Sequence, residues 1–169
     1  MTDDVSTILD TVSTALKQAF TGGSSQPPLG GGTEDVRLLA GDTLPLAVWN
    51  AHVDGGCGEP LVWVRLARRF RSRALPQVAT EPTPCALPKA VEIEVGVARC
   101  AVVEADTDWQ ALAEEAEVSL DDSWRIEVAL CRAVDMLADT TTQTTTGDIV
   151  PFGPEGGIIA WSGTLWAQH

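Results

Sequence analysis

The N-terminal segment has the apolar spacing of an amphipathic helix. Between Val5 and Phe20, apolar residues recur every three or four positions and therefore fall on one side of a helix. Thr2 or Asp3 supplies an N-cap, and a pair of glycines after Thr21 ends the helix. The pattern predicts an N-terminal helix over residues 1–20.

Two stretches in the middle of the chain alternate in the manner of β-strands. One runs from Leu61 to about Phe70, and the other, over 91–97, has an apolar residue at every second position. Glutamates lie between those apolar residues, so one face of that strand is buried and the other meets water or a partner. A shorter apolar stretch over 46–49 is also predicted to be β, and a last strand over 158–168 follows a glycine-rich turn.

Two segments are rich in residues that break helices and strands. Residues 24–32 contain three glycines, two prolines and two serines, which predicts a flexible tether. Residues 75–88 contain four prolines and are predicted to be an excursion between two strands. Few apolar residues anchor either segment, so we expect both to be mobile in a lone subunit and to become ordered on a neighbour.

A second helical region covers about residues 108–138. A first turn or two contains Trp109 and Leu112, and Ser119 or Asp121 is predicted to cap a longer helix. The apolar residues of that longer helix form two overlapping rows: Leu120, Trp124, Val128, Cys131 and Val134, and Ile126, Leu130, Ala133 and Leu137. We expect the row that contains Trp124, Val128 and Cys131 to pack on the sheet. The threonine-rich run over 140–146 ends the helix.

Length and charge restrict the class of protein. The 169 residues correspond to one domain, 1–169. A net charge of −13 argues against a free-standing nucleic-acid binder, because affinity for phosphate comes from Lys and Arg. No apolar run reaches the roughly 18 residues of a membrane span, and the N-terminus lacks the features of a secretory signal. We therefore expect no membrane contact.

The sequence contains few residues arranged for chemistry. The cysteines, at 57, 85, 100 and 131, have the spacing of neither a zinc site nor a small disulfide framework, so we expect reduced and mostly buried thiols. His52 is predicted to be a partly exposed strand residue, and adjacent acids such as Asp121 and Asp122 to lie on solvated faces. No hydrolase, kinase or nucleotide-binding motif occurs. We predict no catalytic residue, no cofactor and no metal, and hence no enzyme.

A basic run stands out against the acidic background. Arg65, Arg68, Arg69, Arg71 and Arg73 are five of the 11 cations of the chain. Such segregation suggests that a basic strand end on one copy meets an acidic face on another, and it makes these residues candidates for an assembly interface. Two alternatives remain: a strand edge protected from aggregation by charge, and a contact with nucleic acid, for which stacking aromatics are few.

Tryptophan use provides a second candidate. Trp161 and Trp166 differ by five positions, so they lie on opposite faces of the last strand unless a bulge intervenes. A large aromatic residue on an outer face is a candidate interface anchor. The alternative is that the strand is covered on both sides within one subunit.

The order of these segments resembles a known family. The segments are GCGEPLVWVRLARRF, a proline-rich stretch with Cys85, AVEIEVGVARC, SLDDSWRIEVALCRAV and VPFGPEGGIIAWSGTLW. Together they resemble the small neck proteins of siphophages that infect actinobacteria, over about residues 5–167. Within that group the chain is most similar to the tail terminators, which cap the tail tube and join it to the head.

The resemblance implies an α+β subunit with a twisted, mostly antiparallel sheet and two helices packed on one face. Such subunits assemble as a homo-oligomeric ring, expected to be a hexamer, around a channel. The implied partners are the tail-tube protein and a stopper or connector protein of the neck. DNA passes through without specific binding, because an acidic wall repels it. The implied location is the virion neck, after assembly in the host cytoplasm.

Two other functions remain open at the level of sequence. One is a head-to-tail stopper or another connector ring of the same neck. The other, from a different class, is a soluble module that binds a small molecule or a peptide. A ring protein is expected to oligomerise or to need its partners in order to do so, whereas a binding module is expected to be a monomer with a pre-formed pocket.

Overall fold

The fold consists of one mixed sheet with helices on both faces, in a computed structural model that describes residues 4–41, 46–80, 84–102 and 109–169. The elements are α1 (Asp4–Phe20), β1 (Val36–Leu39), α2 (Leu46–Val53), β2 (Leu61–Arg71), a 3-10 turn (Pro84–Ala86), β3 (Lys89–Cys100), α3 (Trp109–Leu137), β4 (Gln143–Glu155) and β5 (Ile158–Gln168). The N-terminal helix is confirmed, whereas its predicted caps, Thr2 and Asp3, lie outside the described residues.

The five strands lie in the order β1-β2-β3-β5-β4. The β1 strand is parallel to β2, and the other three pairings are antiparallel. The predicted α+β class, with a mostly antiparallel sheet, is therefore confirmed. The expected strands over 61–70, 91–97 and 158–168 are also confirmed, as β2, β3 and β5.

The main core lies between the sheet and a layer formed by α1 and α3. Inward residues of α1 such as Leu16 belong to the same buried cluster as Val64 and Ile93 of the sheet. Ile126 and Leu130 of α3 complete this cluster. Two helices therefore pack on one face of the sheet, as expected, and α1 and α3 contact each other side by side on that face.

A third helix, α2, corrects the prediction of a strand over 46–49. Trp49 packs in a second cluster with Leu61 and Trp63 of β2, together with two alanines of β3 and β5. Leu61 and Trp63 alternate with β2 residues of the main core, so this second cluster lies on the opposite face of the sheet. His52 is consequently a helical residue and not a strand residue. A short apolar run does not distinguish the two structures by periodicity alone.

The α3 helix corrects two further predictions. It continues without a break from Trp109, so Ser119 and Asp121 lie within the helix and cap nothing. The row that packs on the sheet is the one with Ile126. In the row that contains Trp124, only the last member, Val134, packs against the core. Trp124 is 47% exposed, Val128 is half-buried and Cys131 is exposed.

Two strands were missing from the sequence prediction. The short β1 strand lies at one sheet edge, and β4 at the other begins within the threonine-rich run. Threonine does end α3 as expected, but its β-branched side chain also favours the extended chain that pairs with β5. Within the described residues, no further strand pairs with the outer side of β1 or of β4, so these two strands form the edges of the sheet.

The prediction of four reduced, mostly buried cysteines is wrong. Cys57 and Cys100 form a disulfide across 43 residues, which joins the loop before β2 to the end of β3. Cys85 and Cys131 are free and exposed. The spacing along the chain contained no signal for this pair, because the two cysteines approach each other only when β3 is placed beside β2.

The predicted tether at 24–32 is held against its own subunit. Arg99 donates to the carbonyl oxygens of Gly30 and Gly31, and Arg125 donates to the carbonyl oxygen of Gln26. Pro28 of this segment is also buried. The bonds from arginine are accepted by backbone carbonyls, which is why an apolar pattern did not reveal them.

The predicted excursion at 75–88 does connect β2 to β3. Residues 81–83 lie outside the described part of the chain. In the part of the segment before residue 81, the amide of Ala79 donates to the carbonyl oxygen of Arg71, and the Ser72 hydroxyl donates to the carbonyl oxygen of Gln77. This segment, too, has contacts within its own subunit.

Candidate functional site

The arginine run is divided between interior ion pairs and a basic end. Arg65 is 7% exposed, and its Nε and Nη2 atoms donate to the two carboxylate oxygens of Glu94 at 2.8 and 2.7 Å. Its Nη1 atom donates to the carbonyl oxygen of Gly41 at 2.9 Å. A buried, bidentate guanidinium of this kind is a structural group. Arg65 therefore does not belong to an exposed interface of the isolated subunit.

A β-bulge brings Arg68 to the same face as Arg65. The register between β2 and β3 shifts between Leu66 and Arg68, so Arg68 lies opposite Glu92. Its Nε atom donates to a Glu92 oxygen at 2.5 Å, and its guanidinium lies 4.9 Å from the centre of the Phe70 ring. Without the extra residue, a difference of three positions would put the two arginines on opposite faces.

The remaining arginines lie at the end of β2, in a region that we call the basic pole: Arg69, Arg71, Arg73 and Lys89. Arg69, Arg71 and Lys89 line a cavity of about 350 Å³ together with Phe70, Ala90 and His169. The Nη1 atom of Arg71 donates to the carbonyl oxygen of Leu87 at 2.8 Å. The cavity thus brings together two of the five arginines of the run, Arg69 and Arg71, and adds Lys89, which sequence reasoning had not singled out.

The two tryptophans of β5 lie on opposite faces, as predicted. Trp161 faces α3, where its indole N–H donates to the Ser119 hydroxyl at 2.8 Å. Trp166 lies on the other face and donates to Glu92 at 2.9 Å. Both rings are half-buried within their own subunit. A Cβ atom at Gly147 would lie 2.6 Å from the Trp166 ring, so that glycine makes room for the indole.

A second charged cluster, which the sequence did not reveal, holds the helix layer to the sheet. The Nε and Nη2 atoms of Arg99 on β3 donate to Asp122 on α3 at 2.6 and 2.9 Å. One turn away, Arg125 donates to Asp121 at 2.7 Å and to the carbonyl oxygen of Ala19 at 2.8 Å. Only the Asp121–Arg125 spacing of four was available as a signal in the sequence.

Burial raises the pKa of the Asp122 carboxyl above its ordinary value, and this effect exceeds the opposing one of the Arg99 guanidinium. The Cys57–Cys100 disulfide, Arg99, Asp122 and Trp161 border a cavity of about 290 Å³ between α3 and the end of β3. Because Arg99 donates to Asp122, Gly30 and Gly31, its hydrogen bonds are used to hold the subunit together.

The side of α3 that faces away from the sheet carries large apolar side chains. Trp109, Leu120 and Trp124 are 87%, 70% and 47% exposed. With Cys131, which is also exposed, they form what we call the outer row of α3. A helix of a single-copy globular protein normally presents polar residues on this side.

The described residues contain no group of three or more His, Cys, Asp or Glu that could hold a metal ion. His52 forms a hydrogen bond of 3.0 Å with the carbonyl oxygen of Glu59. Among the helices in the described ranges, none is both long and apolar enough to cross a membrane.

Comparison with known proteins does not assign this chain. No protein-family model matches the sequence, and no curated protein matches it.

Proposed function

We propose that this chain is a structural subunit of a bacteriophage neck, which forms a ring that caps the tail tube and joins it to the head. The observation that carries the proposal is the outer row of α3, together with the basic pole elsewhere on the subunit. A subunit with two different contact surfaces forms head-to-tail contacts, and such contacts close into a ring when the rotation allows. The order of the segments resembles that of tail terminators, and this resemblance suggests that the ring lies between the tail tube and the head.

The overall charge fits a channel that lets DNA pass. Arg65 and Arg99 are paired with Glu94 and Asp122 inside the subunit. These pairs cancel, so most of the net charge of −13 comes from exposed acids. An acidic wall gains nothing from counterion release and does not retain DNA. The disulfide suits a particle that persists outside a reducing cell.

The test has two parts. Negative-stain electron microscopy of the purified protein, alone and with the tail-tube protein encoded beside it, is expected to show rings with a central hole. Immunogold labelling of phage particles that carry this sequence is expected to mark the junction of head and tail. Label on the tail side of the junction in particles lacking heads favours the terminator, and label on isolated heads favours the stopper. Label on neither would overturn the proposal.

The alternative of a small-molecule binding module depends on the 290 Å³ cavity. Ligand pockets usually occupy about 300–1,000 Å³ and have polar groups directed at the ligand. Here the guanidinium of Arg99 is already used by Asp122, Gly30 and Gly31. The geometry therefore favours the ring subunit over the binding module.

A further inference from the structure

The outer row of α3 extends along most of the helix. Trp109, Leu120 and Cys131 are spaced by eleven residues, or slightly more than three turns, and Trp124 lies about one turn after Leu120. At 1.5 Å per residue, the row is about 33 Å long. Single exposed apolar residues are common on protein surfaces, but a row with two tryptophans is typical of a surface that another protein covers.

Acidic side chains lie beside this row. Glu117, Glu127 and Asp135 are exposed and project from the same side of α3. The two arginines of the described helix use their hydrogen bonds elsewhere: Arg125 donates to Asp121 and to backbone carbonyls, and Arg132 donates to a glutamine on α1. Arg125 is buried, although its guanidinium also lies 5.6 Å from the centre of the Trp124 ring. Two outer rows placed against each other would therefore bring acids against acids, which disfavours a symmetric contact between two α3 helices.

The basic pole has the complementary composition. It combines the charges of Arg69, Arg71 and Lys89 with the half-buried ring of Phe70 around one cavity. It lies where β2 ends and β3 begins, whereas the outer row lies on the side of α3 turned away from the sheet. The two surfaces are distinct, so each is available to a different neighbouring copy.

We propose that the outer row of α3 in one copy of this chain binds the basic pole of the next copy. This proposal identifies the subunit contact of the ring and so depends on the function proposed above. Apolar burial of Trp109, Leu120 and Trp124 provides affinity, and the acids at 117 and 127 select the basic pole and orient the contact. Because the two surfaces differ, the contact is heterologous and propagates from copy to copy.

The experiment uses paired charge reversals in the full chain, with self-association measured by sedimentation velocity. The double variant E117R/E127R is expected to weaken self-association by about tenfold or more, because like charges then meet across the contact. The double variant R69E/K89E is expected to do the same. The control D54R/E59R changes the net charge by the same amount as E117R/E127R, at two exposed acids of a loop outside both surfaces, and is expected to associate like the wild type.

Mixing the two impaired variants in equal amounts separates this contact from other causes. Each contact then joins either two reversed surfaces or two native ones, so association is expected to return. Failure of the mixture to associate, while each variant keeps the wild-type circular dichroism spectrum and melting temperature, would show that these surfaces are not partners.

A third variant tests the apolar part of the contact. Leu120→Ser is expected to reduce association without lowering the melting temperature, because Leu120 is 70% exposed in the single subunit. Rings that form equally well in all three variants would overturn this inference and leave the proposed function standing. A wild-type chain that stays monomeric at millimolar concentration would also overturn it, and the immunogold experiment then judges the neck assignment separately.

Discussion

Burial decides the role of each residue on α3. Trp124 and Ile126 are two positions apart, yet Trp124 is 47% exposed whereas Ile126 is fully buried. Both belong to apolar rows of the same helix, and only the sheet determines which row becomes core. The larger side chain is on the outside, which agrees with the general tendency of Ile to be fully buried more often than Trp.

Trp124→Ala is therefore expected to lower the free energy of unfolding by only about 1 kcal/mol, because about half of the Trp124 side chain stays in contact with water in the folded subunit. Ile126→Ala, in contrast, is expected to lower it by about 2–5 kcal/mol, because it leaves a cavity in the main core. Urea titrations of the two variants measure both values. A larger loss for Trp124→Ala than for Ile126→Ala would show that the rows are assigned to the wrong faces.

Asp122 provides a prediction about pH. Its pKa is raised by burial, so in the window just above the usual Asp pKa the folded chain holds a proton that the unfolded chain has lost. The stability contributed by this group is therefore complete below the usual Asp pKa and is lost as pH rises through the raised folded-state pKa. Asp122→Asn removes the titration while keeping the shape.

The stability of the wild type relative to Asp122→Asn is accordingly expected to fall as pH increases from about 3.5 to 6, a range that begins below the usual Asp pKa. Denaturant unfolding of both proteins across this range gives the difference at each pH. A difference that rises with pH would mean that the Arg99 guanidinium outweighs burial.

At the scale of elements, arginine side chains join parts of the chain that do not share a sheet or a helix. Arg125 connects α3 to the end of α1 and to residue 26, and Arg99 connects β3 to α3 and to residues 30–31. The segment 24–32 is therefore held near its start, at Gln26, and near its end, at Gly30 and Gly31. Gly30 also fits closely there, since an added Cβ would lie 2.5 Å from Val118.

Removing Arg125 tests this role. Arg125→Ala is expected to lower the free energy of unfolding by about 3 kcal/mol. It removes the guanidinium from the half-buried Asp121 carboxylate, which keeps only the Leu29 amide as a donor among the described residues, and it removes the Arg125 donor from the carbonyl oxygen of Ala19. Amide hydrogen exchange over 24–32 is expected to accelerate in the same variant. Arg132→Ala is the matched control on the same helix, since Arg132 is exposed, and about 0.5 kcal/mol or less is expected. Equal exchange over 24–32 in both variants would contradict the fastening.

The disulfide between the loop before β2 and the end of β3 makes a further prediction. The native, unreduced protein is expected to expose two reactive thiols, Cys85 and Cys131, and to release two more only after reduction. Cys57→Ser with Cys100→Ser is expected to cost about 3–4 kcal/mol for a loop of 43 residues, and the pair Cys85→Ser with Cys131→Ser far less. A count of four thiols in the native protein prepared without reductant would contradict the bridge.

At the scale of the whole molecule, the charges are sorted rather than mixed. The interior arginines Arg65 and Arg99 are paired with Glu94 and Asp122, whereas Arg69, Arg71 and Lys89 lie together around the cavity of the basic pole. The exposed acids of α3, among them Glu117, Glu127 and Asp135, face away from the core, whereas Asp122 is buried beside Arg99. This arrangement favours contacts between unlike surfaces over contacts between like ones.

Self-association is consequently expected to depend on ionic strength. An increase from 50 to 500 mM NaCl shortens the Debye length from about 14 to 4 Å and is expected to weaken the contact by about tenfold. Sedimentation velocity at constant protein concentration gives the change directly. Association that is unchanged or strengthened by salt would instead identify an interface that depends on apolar burial alone.

The sequence by itself was sufficient for the features that depend on local periodicity. The α1 helix, the β2, β3 and β5 strands and the opposite faces of Trp161 and Trp166 all follow from it. Helices and strands repeat with fixed periods of 3.6 and 2 residues, so a run of neighbours is enough to specify them. The α2 helix was beyond this signal, because eight residues contain too few periods to distinguish helix from strand.

Only the tertiary structure decided the features that depend on distant partners. It selected the Ile126 row of α3 for the core, inserted a bulge that brings Arg68 opposite Glu92, and joined Cys57 to Cys100. Arg99 bonds to a carbonyl 69 residues away. No local pattern specifies such a partner, because the energy of an ion pair, a disulfide or a buried row depends on what the fold places opposite it.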